Sequence, residues 1–345
     1  MNKEQDFKNM MEKIRGKIIA IVYIFEGEDA PGFGHYHIWK SDVISKWLNA
    51  VQELHCMPLI LDVRTFIEKS INRTLPYIDF VVNLNCGSTD LSPMGLVPSM
   101  CGFLGIPCIP CDTVGIITGE NKKISNLIAK ANGINVPKDL LNENQNGIYR
   151  PLNYGSSYGV KRINSIGQRD SGIYQEFICG YDITTPFLFN PLTKKMEALP
   201  TIIYLPNNHS TEWFFDETAK ESKNGYRREI LPNIDFTLIE KYLKLIESLS
   251  IKTFCRIDAR IQCKDNEKID KIDDYILPEE KVYFIEINPM PTVREGNSFD
   301  FSYQAISDQY ALSKFMDLLR KINGTVSPHG LLLACSMLSY LITTY

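Results

Sequence analysis

The sequence predicts a mixed α/β and α+β fold built in three parts, with a parallel sheet first and antiparallel sheets after it. Three observations predict this. Short apolar runs alternate with helical patterns over residues 14–115; extended stretches separated by turns take over at 147–205; and two apolar strands follow an amphipathic helix at 236–288. At 345 residues the chain has room for two or three domains of roughly 100–200 residues each.

The run "KIIAIVYI" (17–24) reads as a buried strand. After the loop "FEGEDAPGFGHYH", residues Ile38, Val43, Ile44, Trp47, Leu48, Val51 and Leu54 recur at helical spacing. Two further apolar runs, "MPLILDV" and "YIDFVVNL", precede a helix ending near "GFLGIPCIP". A helix over 120–133 places Ile124, Leu127 and Ile128 on one side, with Gly133 at its stop and Pro137 beyond. From 147 to 205 the alternation of strands and turns predicts an antiparallel sheet. The polar segment 206–229 is long for a connector and reads as a lid or a disordered loop. A helix at 236–249, strands in "TFCRIDARIQ" and "KVYFIEIN", and helical patterns at 301–323 and 328–342 complete the order. No internal repeat and no low-complexity tract interrupts it.

Composition narrows the function. The net charge of −4 is spread without a basic block, which points to a small-molecule partner rather than nucleic acid. The charged opening "MNKEQDFKNMMEKIRGK" lacks the apolar core of a secretory signal. The apolar stretch 330–342 is shorter than the ~20 residues of a membrane span, so the expectation is a cytoplasmic protein with no membrane partner. Nine scattered cysteines fit reduced thiols, and the Cys108/Cys111 pair has no second Cys/His pair at zinc spacing nearby.

On a strand, residues two apart share a face. Arg256, Asp258 and Arg260 therefore point one way, and Cys255, Ile257, Ala259 and Ile261 the other. The same rule groups Phe284, Glu286 and Asn288 against Tyr283, Ile285 and Ile287. If the two strands pair, Asp258, Glu286 and Asn288 bring together the few oxygen ligands that magnesium favours beside substrate phosphates. The same pattern also reads as a solvated strand face with an Arg/Asp pair. The segment "LNYGSSYGVK" (152–161) offers Gly155, Gly159, Ser156 and Ser157 as a phosphate cradle, or equally as an ordinary Gly/Ser hairpin turn. It is neither a Walker loop nor a Rossmann fingerprint.

The order of "NKKISNLIAKANGINVP", "YGSSYG", "QEFICGYD", "FDETAK", "RID" and "EIN" resembles the ATP-grasp superfamily, and within it the D-alanine–D-alanine ligases. The resemblance covers most of the chain from about residue 80 onward. It implies a three-part ATP-grasp fold: an N-terminal α/β domain (14–115), a central antiparallel lid (116–205) and a C-terminal α+β catalytic domain (206–345), with ATP held between the last two. It also implies chemistry in which ATP activates a carboxylate as an acyl phosphate that an amine attacks, releasing ADP and phosphate. Carried over, Lys122 reaches the nucleotide phosphates, and Gly155, Ser156, Ser157 and Gly159 close over them. Gln175 stands where an acid usually holds the adenine amine, Phe177 and Ile178 lie at the purine, and Asp182 takes the ribose. Lys220 is the mobile-loop lysine for the γ-phosphate, and Arg256 steadies the transferring phosphate and the oxyanion. Asp258, Glu286 and Asn288 match the ligands of two Mg2+ ions, with Glu286 bridging.

Departures cluster. Arg150 in "YRPL" replaces the second phosphate lysine, keeping a cation with forked geometry. The family's first glycine-rich loop gives way to the 26–37 loop, where His35 and His37 either reach the cleft or are solvated. Thr292 occupies the glycine position of the oxyanion hole, Asn297 or Ser298 the acceptor serine position, and Glu221 the aromatic position after Lys220. Arg294 reads as a substrate-carboxylate contact or as a surface residue paired with Glu295. The resulting expectation is a carboxylate–amine ligase with a small-molecule donor and acceptor, in dipeptide or related amide formation in specialised metabolism. The alternatives are a cell-wall D-alanine–D-X ligase with an altered pocket, and an ATP-binding regulatory protein. The resemblance also implies a possible homodimer.

Overall fold

Two uninterrupted branched runs, buried on both faces, build the first sheet. In the computed structural model, which describes residues 3–24, 41–85, 93–141, 145–153, 155, 157–165, 171–216, 219, 225–263, 269, 272 and 276–343, this region begins with α1 (Lys3–Glu12) and β1 (Ile18–Tyr23). It continues through α2 (Ser41–Glu53), β2 (Met57–Asp62), α3 (Val63–Ile71), β3 (Phe80–Asn83), α4 (Leu96–Leu104) and β4 (Cys108–Ile109). The four strands are parallel in the order β2-β1-β3-β4, as the alternation over 14–115 predicts. The charged N-terminus forms a helix that its composition did not signal. Phe7 and Met11, four residues apart, are both buried, and Phe7 meets the edge of Phe315 at 5.5 Å.

Next come α5 (Thr113–Glu120) and α6 (Lys122–Ala131), separated by Asn121, whose side chain accepts from the Ile124 N–H at 3.0 Å. The inward face of α6 is polar: Lys122, Ser125 and Asn126 are buried, whereas Ile124 and Leu127 of the apolar stripe are exposed. The helix is turned this way because its inner side faces a charged cleft.

The antiparallel part divides between two sheets. Strands β5 (Gly147–Pro151), β6 (Lys161–Ile163) and β7 (Gly172–Gln175) form a three-stranded sheet in the order β6-β5-β7. Strands β8 (Gly180–Asn190), β9 (Lys195–Ala198) and β10 (Thr201–Pro206) join a larger sheet instead. They are followed by β11 (Tyr226–Leu231), β12 (Asn233–Ile234), α7 (Phe236–Ser248), β13 (Phe254–Gln262), β14 (Ile276–Leu277) and β15 (Val282–Asn288). The large sheet runs β11-β10-β8-β13-β15, with β9 on β8, while β12 and β14 pair separately. Since residues 180–206 share a sheet with 226–288, we propose a lid boundary near 176–180 in place of 205.

The chain closes with α8 (Ser298–Gln304), α9 (Ala311–Asn323) and α10 (Pro328–Thr343). The buried stretch Leu331–Leu338 of α10 belongs to the same core as Ile19, Trp47 and Val82. Glu53 on α2 reinforces that union by accepting from the Ser327 N–H (3.0 Å) and hydroxyl (2.7 Å) at the start of α10. No single described helix is long and apolar enough to cross a membrane.

The pairing of β13 with β15 departs from strict alternation. Arg256 lies opposite Asn288 and Asp258 opposite Glu286, but the next pair is Ala259 with Phe284. Ile285 is the extra residue of a β-bulge. Phe284 is therefore fully buried in the core with Ile257 and Ile287, contrary to its expected place beside Glu286, and Ile285 turns to the cleft side.

At the start of β8, Gly180 has φ +143°, and a Cβ there would meet the Ile261 carbonyl oxygen. Gly180→Ala is expected to destabilise the protein by about 3 kcal/mol or more, read as a lowered urea midpoint.

Candidate active site

A cleft of about 630 Å3 opens between the two antiparallel sheets, lined on one side by Ile148, Arg150 and Gln175 and on the other by Arg256, Asp258 and Glu286. Its floor is the paired face of β13 and β15. Asn288 donates to Asp258 Oδ2 at 2.8 Å, and Thr184 on β8 donates to Asp258 Oδ1 at 2.7 Å. Arg256 clasps both oxygens of Asp258, from Nε at 2.9 Å and from Nη2 at 2.7 Å. Burial works against the Arg256 charge, but Asp258 outweighs it and raises the guanidinium above its ordinary value. Lys122 Nζ lies 3.2 Å from Glu286 Oε2. Burial pushes the Glu286 carboxyl up, yet Lys122, Arg150 and Arg256 together hold it well below the usual carboxylate range.

The sequence thus located the three oxygen-bearing residues correctly relative to one another, and the structure brings them together with Lys122 and Arg256. Two carboxylates and an amide on adjacent strands suit a hard divalent cation that keeps several waters.

Arg150 and Gln175 act as one unit. Arg150 Nη1 donates to the carbonyl of the bulge residue Ile285 at 2.5 Å, and Nη2 donates to Gln175 Oε1. Gln175 is held in turn by the Pro137 carbonyl at 3.1 Å and Asp139 Oδ1 at 3.3 Å. Burial pushes Arg150 down to about 10, and its Nε is buried without a hydrogen-bond partner among the described residues. A guanidinium lining the cleft fits an anionic ligand such as a phosphate. With a neutral amide at 175, the negative charges that act on Arg150 are those of Glu286 and Asp139.

Toward the other end of the cleft lie Phe177, Ile178 and Asp182. The Phe177 ring stands 3.6 Å from the Arg162 guanidinium and 4.8 Å from that of Arg260. Arg260, buried, donates to Asp182 Oδ1 at 2.8 Å and to the Ile178 and Gly180 carbonyls. The second oxygen of Asp182 accepts from the Phe215 N–H at 2.8 Å. Arg260 is a residue that sequence reasoning placed on the charged face without assigning to the site; its signal was the second arginine in "RIDAR".

The Gly/Ser segment is both a turn and a cleft wall. Ser157 and Gly159 have φ of +64° and +69°, the Tyr158 N–H donates to the Gly155 carbonyl, and Ser157 Oγ reaches the Phe215 carbonyl at 2.8 Å. Gly155 and Ser157 line the cleft. Ser156, Lys220, Glu221, His35 and His37 lie outside the described residues.

At the substrate end, Thr292, Arg294, Asn297 and Ser298 all line the cleft. Asn297 also shapes the backbone here, because its Oδ1 caps α8 from the Phe299 and Asp300 N–H groups and its Nδ2 donates to the Thr292 carbonyl. Ser298 shares a 2.6 Å hydrogen bond with the Tyr204 hydroxyl. Arg294 is half-exposed and faces Asp42 at 3.7 Å, while Glu295 instead meets Lys46 at 3.4 Å. Arg228, from β11, also lines this end; nothing in "YRREIL" marked it, because its position depends on cross-strand pairing. Cys108 and Cys111 are buried, and burial pushes both thiols well up, consistent with unreactive core residues. Among the described residues no group of three or more His, Cys, Asp or Glu side chains could hold a metal.

No protein-family model matches the chain. A D-alanine–D-alanine ligase from Aquifex aeolicus is 27% identical over 225 residues, covering 58% of this chain and 69% of that protein. The corresponding ligase from Wolbachia pipientis subsp. Culex pipiens is 26% identical over 244 residues, covering 63% and 72%. Among solved structures, the D-alanine–D-alanine ligase from Bacillus anthracis complexed with ATP superposes with a TM-score of 0.58 at 17% identity, over 90% of this chain and 97% of that one. The VanG D-Ala:D-Ser ligase from Enterococcus faecalis gives 0.56 at 16%, over 94% and 100%. The fold is ATP-grasp, and the chain is D-alanine–D-alanine ligase-like in sequence.

One buried titratable group touches the substrate-side loop. His329 on α10 shares a 3.0 Å hydrogen bond with the Val293 carbonyl and packs edge-on against Trp47, and burial pushes its imidazole down to about 4. The folded state holds it neutral while the unfolded chain takes a proton near its ordinary value of 6.5, so its contribution is complete above that pH and lost as pH falls toward 4. Against a His329→Asn variant, the wild type is expected to lose up to about 3 kcal/mol more across that window in urea titrations.

Proposed function

We propose that the chain is an ATP-dependent ligase that joins a small carboxylate to an amine through an acyl phosphate, in specialised metabolism. The observation that carries this reading is the single cleft in which Lys122, Arg150 and Arg256 face Asp258, Glu286 and Asn288. A nucleotide-binding regulator needs phosphate cations, but it has no use for Arg256 clasped onto a metal-type carboxylate beside a substrate loop.

Each residue has a role that follows from its setting. Lys122 and Arg150 bind and align phosphates from above the sheet, one as a point charge and one as a planar fork. Asp258, Glu286 and Asn288 would hold magnesium, which when bound supplies charge neutralisation on the phosphates. Arg256, a fixed cation at the junction with the substrate end, stabilises negative charge developing on the transferred phosphoryl group and on the tetrahedral centre formed by amine attack. Its partner Asp258 keeps it oriented until then. Phe177 and Ile178 flank the base, and Asp182 is placed for the ribose. Because the carboxylate is activated as a mixed anhydride, no nucleophile from the protein is required.

The loop 289–298 and Arg228 supply a substrate end unlike that implied by the family pattern, which supports substrates other than two alanines. Purified protein given ATP, magnesium and panels of amino acids and small acids should release phosphate and ADP. Glu286→Gln and Arg256→Met should each lower the rate by at least about a hundredfold. If ATP binds but no panel releases phosphate, the regulatory reading replaces this one.

A further inference from the structure

Resting on that reading, we propose that Arg228 and Arg294 form a two-guanidinium site for a second carboxylate on one of the two substrates, so that the ligase acts on a dicarboxylic amino acid or a comparable small diacid.

The charges at this end exceed what two monocarboxylic amino acids require. Such a pair brings one reacting carboxylate, which belongs with Arg256, and one spectator carboxylate, which one further guanidinium can hold by two parallel hydrogen bonds. At this end the cleft presents two further guanidiniums, Arg228 and Arg294, apart from Arg150 and Arg260 elsewhere in its lining.

Arg228 is aimed inward by strand period. On β11, Arg227 and Glu229 share one face and pair with each other at 2.5 Å, which leaves Arg228 on the other face with Tyr226, both lining the cleft. Its guanidinium is steadied by one hydrogen bond to the Gly296 carbonyl and lies 5.0 Å from the Phe301 ring. Among the described residues no carboxylate stands within ion-pair distance of it. Gly296 is two residues from Arg294, so a bond from Arg228 to that carbonyl brings the two arginines to one loop. Among the described residues Arg294 has only the long 3.7 Å contact to Asp42, and both of those side chains are about half-exposed. A contact of that kind is worth little and yields readily to a better-placed anion.

The neighbouring wall argues against a basic or purely apolar substrate group. Tyr204, Phe215 and Tyr226 line it in mutual contact, with Tyr204 and Phe215 stacked at 4.7 Å and Phe215 and Tyr226 edge to face at 5.0 Å. That wall holds the carbon frame of a small substrate but presents no carboxylate to an amine. An apolar side chain would leave the Arg228 charge desolvated without an anionic partner, which is unfavourable.

The test is isothermal titration calorimetry of the full chain, saturated with magnesium and a non-hydrolysable ATP analogue, using aspartate, glutamate, succinate and alanine as probes. At least one diacid should bind about tenfold or more tighter than alanine. Arg228→Gln and Arg294→Gln should each cut that preference to within about threefold, and Arg228→Lys should restore part of it. The affinity for the nucleotide analogue, measured in the same samples, reports that each variant is folded. Equal or tighter binding of alanine, a preference that survives both Gln substitutions, or no binding by any probe overturns the proposal. Phosphate release is measured separately. Diacid preference without turnover sinks the ligase reading and leaves the two-arginine site standing, whereas turnover of neutral amino acids without the preference does the reverse.

Discussion

The cleft depends on how β15 pairs with β13 at Ile285. Strict alternation would set Phe284 and Glu286 on one face, so that either an aromatic ring would crowd the charged floor or a carboxylate would enter the core. Burying an unpaired carboxylate costs several kcal/mol, and the bulge removes the conflict with one extra residue. Phe284 goes inward, Glu286 stays with Asp258 and Asn288, and the carbonyl of the bulge residue Ile285 accepts from Arg150. One backbone irregularity therefore sets the carboxylate face and joins it to the three-stranded sheet above.

Electrostatic pairing does the rest. Lys122 sits against Glu286, and Arg256 against Asp258, each pair largely screened from water. Arg260 ties Asp182 to the carbonyls of Ile178 and Gly180, so the segment leading out of the small sheet is pinned to the large one. Arg150, by contrast with these cations, is met among the described residues by a carbonyl and an amide. Charge is thus paired along the strand floor.

Much of this was legible in the residues. Long branched runs disclosed the parallel sheet because strands buried on both faces need no polar alternation, and period two placed Asp258, Glu286 and Asn288 together because the pairing restores their register at that point. Other parts were hidden for physical reasons. A bulge is a property of two strands, so Phe284 could not be assigned from one. Strands 180–206 look like their predecessors locally, and only pairing with β13 assigns them to the other sheet. The inward face of α6 is polar because it looks into a charged cleft, which overrides the usual reading of an apolar stripe. Arg228 lies beside Gly296, 68 residues away in sequence, and no local pattern encodes such a contact.

The union of α2 with α10 bears on how the chain folds as it is made. The parallel sheet is synthesised early, yet the helix that completes its core comes late, and Glu53 meets Ser327 across a separation of 274 residues. Until α10 emerges, one apolar side of that sheet lacks its cover. Closing so distant a contact is entropically slow, and the exposed side is meanwhile open to unwanted association. Synthesis of α10, rather than completion of the first sheet, is the point from which the N-terminal core can close.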